Sequence, residues 1–568
     1  MIMKRILLTI STIAFAFGIT GCNKVFDELA INPNQPSMDS YFTTPQAVNE
    51  AILTCYGYIQ TQRCFGASAS KTTIIRSDEA SSNSDYGKPG MYGESLNSSY
   101  YTIMQPFGLL FTTASQASYV IENIDKVAFG DEKLKNAYKG EAYFWRAFAH
   151  FYLLTNYRNI APIRHMPKDA SDYVREIEDP NAIWDFICED LGNAKNLLPE
   201  KGYWKGANVG RVTAASAAAL NGKAYLYRSG IEAAFGSNSK TYYDEAAAEF
   251  DEIISGKYGT YSLVNDYSWN FDVAHENNDE SIIEFQFVGD VENNAFNPGQ
   301  ANSGLAFDTR GIMLPGTGVG YEGVVHDWLY NAFANSIDKN GKTDIRMFST
   351  MLFNDKDAAI KLRDGQRLTG PGGYHFEDYY PNGDFTTVSN TRTHVYKAAI
   401  LKGIDLSMPM RNDTPTNITG VGAGTKEYIY NQPRAHGVNW RYLRYADVLM
   451  MYAEAVVSGG KQGTMSAADA FNAVRTRANM STKGAITLED IKAERVLEFA
   501  LEGHRFFDLL RWGELASRFK SLETSDPNFK KLISDTDYQG FVANKHELLP
   551  IPIDEIESNH FAKQNPGY

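Results

Sequence analysis

Three carboxylates repeat every fourth residue near the C-terminus, at Glu494, Glu498 and Glu502. On one helix they share a face, where like charges repel unless cations pair them. A glycoside hydrolase also needs two carboxylates, but facing each other across a cleft at roughly 5–9.5 Å. Acids strung along one helix do not meet that need, and Arg495, Arg505, Asp508 and Arg511 interleave with them. The pattern reads as an ion network binding the last helices together, acting in stability rather than turnover. Other catalytic arrangements are missing. No HExxH or GxSxG occurs, and the glycines of 420–424 with Lys426 lack the spacing of a phosphate loop. Asp338-Lys339-Asn340-Gly341 opens like a calcium loop, but the Asp or Asn due next is absent, so it reads as an ordinary Asx turn. No CxxC or His/Cys cluster suggests zinc. No catalytic residue, cofactor or metal ligand is therefore assigned.

Binding chemistry is better represented. The chain carries 34 Tyr, 32 Phe and 7 Trp, an aromatic share of 13%. Tyrosine offers an apolar face and a hydroxyl together, which suits a ligand that has both flat C–H faces and hydroxyls. Two stretches combine rings with Asn, Asp and Arg and lack a strong helical period. One spans 76–101 and supplies Arg76, Asp78, Asn83, Tyr86 and Tyr92; the other spans 293–328 and supplies Asn294, Tyr321 and Trp328. These eight are the candidate ligand-binding residues, with 374–380 the next place to look. The net charge of −14 and the lack of a long basic run exclude nucleic acid as a partner.

The N-terminus bears on location. Lys4 and Arg5 precede an apolar run, 6–17, that is shorter than the ~20 residues a membrane-spanning helix needs. It reads as a secretory signal peptide. Ile19-Thr20-Gly21-Cys22 resembles a bacterial lipobox, which implies cleavage before Cys22 and lipidation of its thiol. Several acyl chains anchor far better than one. Of the other cysteines, Cys55 and Cys64 would be about 13 Å apart along a continuous helix, beyond disulfide reach, whereas a helix ending near Arg63 would allow a bridge without favouring it; Cys188 reads as a buried free thiol.

The elements that must hold these residues are mostly helices. A helix is expected over 45–62, then 107–124, and then helix pairs at 134–157 with 182–198, 213–229 with 243–255, and 442–458 with 466–478. Each pair opens with a small-residue-rich helix carrying a tyrosine near its end: Tyr157, Tyr227, Tyr452. Such couplets resemble tetratricopeptide repeats, whose faces are buried only by stacking on neighbours. Ser466 and Thr487 each stand three residues before an acid, the signature of a capped helix start. The region 259–440 differs, being dense in Gly, Asn, Asp and Tyr, with breakers at 370–373 and 420–424. Long ordered loops of this kind are where binding usually sits. The expected organisation is a leader at 1–21, a lipidated tether at 22–45, and one domain at 46–568. Within it, 46–258 and 441–568 form the scaffold and 259–440 the binding region.

At the C-terminal helices a family resemblance becomes specific. The run from Glu494 to Gly513, ERVLEFALEGHRFFDLLRWG, resembles the C-terminal signature of the SusD/RagB family. RYADVLMMYAEA from Arg444, AVRTRA from Ala473 and the ending LPIP…QNPGY resemble further blocks, as do 139–157, 210–213 and 41–44. The blocks fall in the family's order along essentially the whole mature chain. The resemblance implies a mainly α, tetratricopeptide-like scaffold with a loop-rich binding face. It also implies a non-catalytic surface lipoprotein that captures an oligosaccharide, or in some members a peptide, and passes it to a TonB-dependent, SusC-like transporter. A surface glycoside hydrolase and a pure protein-interaction scaffold are the competing readings. Mass spectrometry of the membrane-extracted protein should find residues 1–21 removed and Cys22 acylated; an intact leader or an unmodified Cys22 would refute this.

Overall fold

The computed structural model describes residues 41–61, 63–82, 92, 96–237, 240–287, 307–308, 323–370, 375–379, 385–389, 392–402, 435–526, 529 and 540–568. Cys22 and the leader lie outside the described residues.

The helices begin where capping chemistry allows. Helix α1, Pro45–Gln60, starts with proline at its first position and the Thr44 hydroxyl accepting the Ala47 N–H at 3.2 Å. After α2, Ser68–Ile75, helix α3 spans Tyr101–Asn123. It starts before Pro106 rather than after it, because a proline in the second turn removes one intrahelical bond that packing can offset. Helix α4, Glu132–Tyr157, is capped by Asp131 and buried almost all round from Gly140 onward. Helix α5, Pro180–Leu197, stops before Pro199; α6 is Ala214–Ala234 and α7 is Tyr243–Ile254. Far along the chain come α9, Tyr445–Val457, and α10, Ala467–Arg477.

These helices stack in sequence: α1 on α3, α3 on α4, α4 on α5, α5 on α6 and α6 on α7. Helix α9 then docks on α7, and α10 on α9, so the third couplet continues the array although nearly two hundred residues separate it from the second. The fold is mainly α and tetratricopeptide-like. Close approach of α6 to α7 relies on Gly222, where an added Cβ would come within 2.6 Å of the Phe250 ring. The three couplet tyrosines are all buried. Tyr157 donates to Ile103 O at 2.6 Å and Tyr452 to Met465 O at 2.5 Å, so two of them tie a helix end to a neighbouring segment. The closing motif does the same. Gln564 forms paired hydrogen bonds with the Ile551 backbone, and Asn565 donates to Tyr157 O and Leu549 O.

The region between α7 and α9 leaves and returns through paired strands. Strand β2, Ser281–Phe285, is antiparallel to β6, Trp440–Arg444, which runs directly into α9. A second sheet joins β1, Ala80–Ser82, to β3, Gly323–Val325, β5, Ala398–Ile400, and β4, Met351–Phe353, antiparallel in the order β1-β3-β5-β4. Helix α8, Asp327–Ala334, follows β3.

An ion cluster fastens this excursion to the C-terminal helices. Helix α11 covers Leu488–Glu498 and then breaks; a turn containing Leu501 at φ 62° leads to α12, Arg505–Arg511. Glu502 therefore lies on the turn, not on the same helix face as Glu494 and Glu498. The acids still converge. Fully buried Arg444 donates to Glu280 at 2.7 Å, Glu498 at 2.6 Å and Glu502 at 2.9 Å. Buried Arg346 reaches Asp344 at 2.7 Å, Glu494 at 2.7 Å and Glu498 at 2.9 Å. Arg477 also pairs with Glu498, and Lys402 with Glu502 at 2.9 Å. Burial alone would raise the Glu498 carboxyl, but Arg477, Arg444 and Arg346 hold it well below the ordinary range. Asp508 joins Arg495 and Arg511, and Arg511 pairs with Glu454. Removing one partner from such a cluster leaves buried charge uncompensated, at a cost of about 3–5 kcal/mol. Glu502→Ala should lower the melting temperature by a corresponding amount in a thermal unfolding experiment. An unchanged melting temperature would show that the cluster does not hold the fold.

Candidate ligand-binding face

Register places the two sequence-nominated stretches side by side. Ala80 pairs with Val325 and Ser82 with Gly323, so β1 from the first stretch lies against β3 from the second. Val324 pairs with Ala399, which brings Ile400 level with Gly323. Ser82, Gly323 and Ile400 thus sit at one end of the sheet. The chain leaves Ser82 towards Asn83 and Tyr86, enters Gly323 from Tyr321, and leaves β5 towards 403–434. Asn83, Tyr86, Asn294 and Tyr321 lie outside the described residues.

The other four nominated residues are described, and their polar groups serve the protein itself. Arg76 is buried at the end of α2, donating to Asn156 at 3.1 Å and His546 O at 3.0 Å, with its guanidinium 3.9 Å over the Phe506 ring. Tyr92 is buried and donates to Arg76 O. Asp78 is fully buried and accepts from Arg505 at 2.9 Å and from Arg518, of helix α13 (Leu515–Ser525), at 2.6 Å. Its backbone carbonyl accepts the Trp328 indole N–H at 2.5 Å, and the Arg518 guanidinium lies 4.2 Å over that ring. Asp78 and the half-buried Trp328 thus come together as a hub that fixes β1 and α8 to the C-terminal helices, while Arg76, Asp78 and Tyr92 are buried with their polar groups taken up inside the protein. An Arg–Asp–aromatic mixture has the same composition in a binding site and in a buried network; only partners more than four hundred residues away distinguish them.

Glu79 belongs to the same hub and was not singled out from sequence. Its carboxyl accepts the Leu501 N–H at 3.1 Å and the Ser77 hydroxyl at 3.3 Å, and its carbonyl accepts the His326 N–H at 2.9 Å. It therefore joins the root of β1, the start of α8 and the turn after α11. Burial, reinforced by the neighbouring Asp78 charge, pushes its carboxyl up to about 8. Asp78 goes the other way, because Arg505 and Arg518 outweigh its burial.

The calcium-like turn is filled by the protein. Asp338 accepts the N–H groups of Asn340 and Lys342 on one oxygen and Arg363 and Asn479 on the other. Among the described residues no group of three or more His, Cys, Asp or Glu could hold a metal ion. Cys55, Cys64 and Cys188 are free and buried, and burial pushes the Cys188 thiol up to about 12. No described helix is long and apolar enough to cross a membrane.

Residues 279–568 match the family described as the SusD family, and residues 30–226 one described as starch-binding, associating with outer membrane. The chain belongs to the SusD family. A SusD-like protein of Bacteroides ovatus is 25% identical over 90% of this chain and 83% of its own length. SusD-like protein P2 of Formosa agariphila is 24% identical over the full length of both. Among solved structures, a laminarin-binding SusD-like protein superposes with a TM-score of 0.65, at 22% identity over 93% of this chain and all of the other. Surface glycan-binding protein A of Bacteroides thetaiotaomicron in complex with laminarihexaose gives 0.65, at 21% identity over 92% of this chain and all of the other.

The Glu79 environment gives this SusD-family chain a pH signature. An acid whose folded pKa is raised contributes stability that is full below its unfolded value near 4.5 and is lost as pH rises through about 8. Glu79→Gln keeps the acceptor for Leu501 without the ionisation. Denaturant unfolding should therefore show Glu79→Gln gaining stability over the wild type as pH rises from 5 to 9, with identical pH curves refuting the assignment.

Proposed function

We propose that the protein is a non-catalytic lipoprotein of the bacterial outer membrane. It binds an oligosaccharide at its surface and delivers it to a TonB-dependent, SusC-like transporter. One observation carries the reading: in a SusD-family chain, the segments following Ser82 and Ile400 and the one preceding Gly323 are all rooted at one end of a sheet fixed from behind by buried ion pairs. A site of this kind needs rings for the sugar faces and a few polar groups for the hydroxyls, held by a rigid base. Asn83, Tyr86, Asn294 and Tyr321 are the residues of this face proposed to touch ligand. Residues 46–568 act as one unit in this proposal, and Cys22 supplies the anchor. The similarity to laminarin- and laminarihexaose-binding relatives supports a glycan over a peptide.

The test is calorimetric titration of the soluble chain, begun after Cys22, with laminarihexaose, starch-derived oligosaccharides and a peptide library. An oligosaccharide should bind without release of free sugar. Truncating a central ring of a binding site costs about 2 kcal/mol or more, so Tyr86→Ala and Tyr321→Ala should each weaken binding at least about tenfold. Trp328→Ala should instead act mainly on stability. Binding to peptides alone, sugar release, or wild-type affinity in both tyrosine variants would overturn the proposal.

A further inference from the structure

Lys223 lies midway along α6 and is 3% exposed. Among the described residues none accepts a hydrogen bond from its ammonium. Rings surround it instead, with the Tyr442, Tyr227 and Phe151 centroids at 4.7, 5.2 and 6.0 Å. One turn further on, the Tyr227 hydroxyl is buried without a partner. Both residues line an internal cavity that Thr155, Glu502 and His504 also line, with room for a water molecule and little more. A buried ammonium that trades its hydration only for ring faces keeps donors unused, and an unused buried donor is costly.

We propose that this cavity is a water site, in which one ordered molecule accepts from Lys223 Nζ and hydrogen-bonds the Tyr227 hydroxyl. Thr155 can complete the shell: its proton goes to Phe151 O at 2.8 Å, which leaves a lone pair to accept. Three partners is the usual number for a buried water. The chemistry favours water over an anion, because the Glu502 carboxylate lines the same cavity and the Asp447 and Asp508 charges already act on Lys223. Burial still pulls the ammonium down to about 8, against those two carboxylates. The site lies between scaffold helices α4 and α6 and the turn that carries Leu501 to Glu79. The water therefore fills the joint between the helical array and the root of the ligand face.

A crystal structure of the chain begun after Cys22, at a resolution that shows ordered water and with crystals soaked in bromide, tests this directly. The expected result is one peak within hydrogen-bonding distance of both Lys223 Nζ and the Tyr227 hydroxyl, without anomalous signal. A dry cavity, an anomalous bromide peak, or Lys223 bonded to a carboxylate would each overturn the proposal. In Tyr227→Phe the peak should weaken, and in Lys223→Met, which fills the same space without a donor, it should disappear. A peak of undiminished strength in whichever variant folds would refute the bridge.

Discussion

The position of the proposed binding face depends on Arg444 and the acids around it. Arg444 closes strand β6 and starts helix α9, so it stands where the long excursion rejoins the helical array. Glu280 arrives from the strand that opens the excursion, Glu498 from the end of α11, and Glu502 from the turn beyond it. Arg346 and Lys402, both within the excursion, attach to the same acids. Apolar residues of equal volume could fill such a space at no loss of stability, and often with a gain. Directional bidentate pairing can do what apolar packing cannot, namely fix which segments meet and at what angle. The segments that carry Arg346, Lys402 and Glu502 are short turns or strand ends, so their geometry is set by partners outside them.

That arrangement separates two jobs within one chain. The helical array is held by stacking, with small residues such as Gly222 allowing close approach. The sheet end that bears the proposed site is held from below by Asp78 with Arg505 and Arg518, and by Glu79 on Leu501. The carboxylates that fix this base are buried, so it does not depend on the residues that follow Ser82 or precede Gly323 in the sequence.

The helices were legible in the sequence because their signals are local. The starts read at Pro45, Ser466 and Thr487 fall where the structure has them, and the helix expected from 134 begins at Glu132. The reading of Glu498, Glu502, Arg505, Asp508 and Arg511 as members of an ion network agrees with the pairs present, but only Asp508 finds its cations, Arg495 and Arg511, within the run; Glu498 and Glu502 take theirs from Arg346, Arg444, Arg477 and Lys402, and Arg505 pairs with Asp78. What that reading lacked was the break after Glu498, where Leu501 takes a left-handed conformation that its residue type does not announce. The sheet was illegible for a different reason. Strands of three residues have no readable alternation, and β1 pairs with a strand more than two hundred residues away. The described strands within 259–440 carry no local signal because their pairing partners are distant in sequence.

The same limit explains the division among the nominated ligand residues. Abundant tyrosine suggested a ligand surface, yet Tyr56, Tyr92, Tyr157, Tyr227, Tyr267 and Tyr452 are all buried. Most of these use the hydroxyl to cap a backbone group or a carboxylate, as Tyr56 does on Glu141 at 2.6 Å and Tyr267 on Glu498 O at 2.7 Å. A stacked helical array has many such ends to satisfy, and tyrosine reaches them from within the core. Aromatic richness therefore has one source in the scaffold's need for long-reaching hydroxyls, a need that composition does not separate from a binding site's need for flat faces. Tyr92, buried with its hydroxyl on Arg76 O, serves the frame, while Tyr86 and Tyr321 are proposed for the face from their places in the sequence beside Ser82 and Gly323.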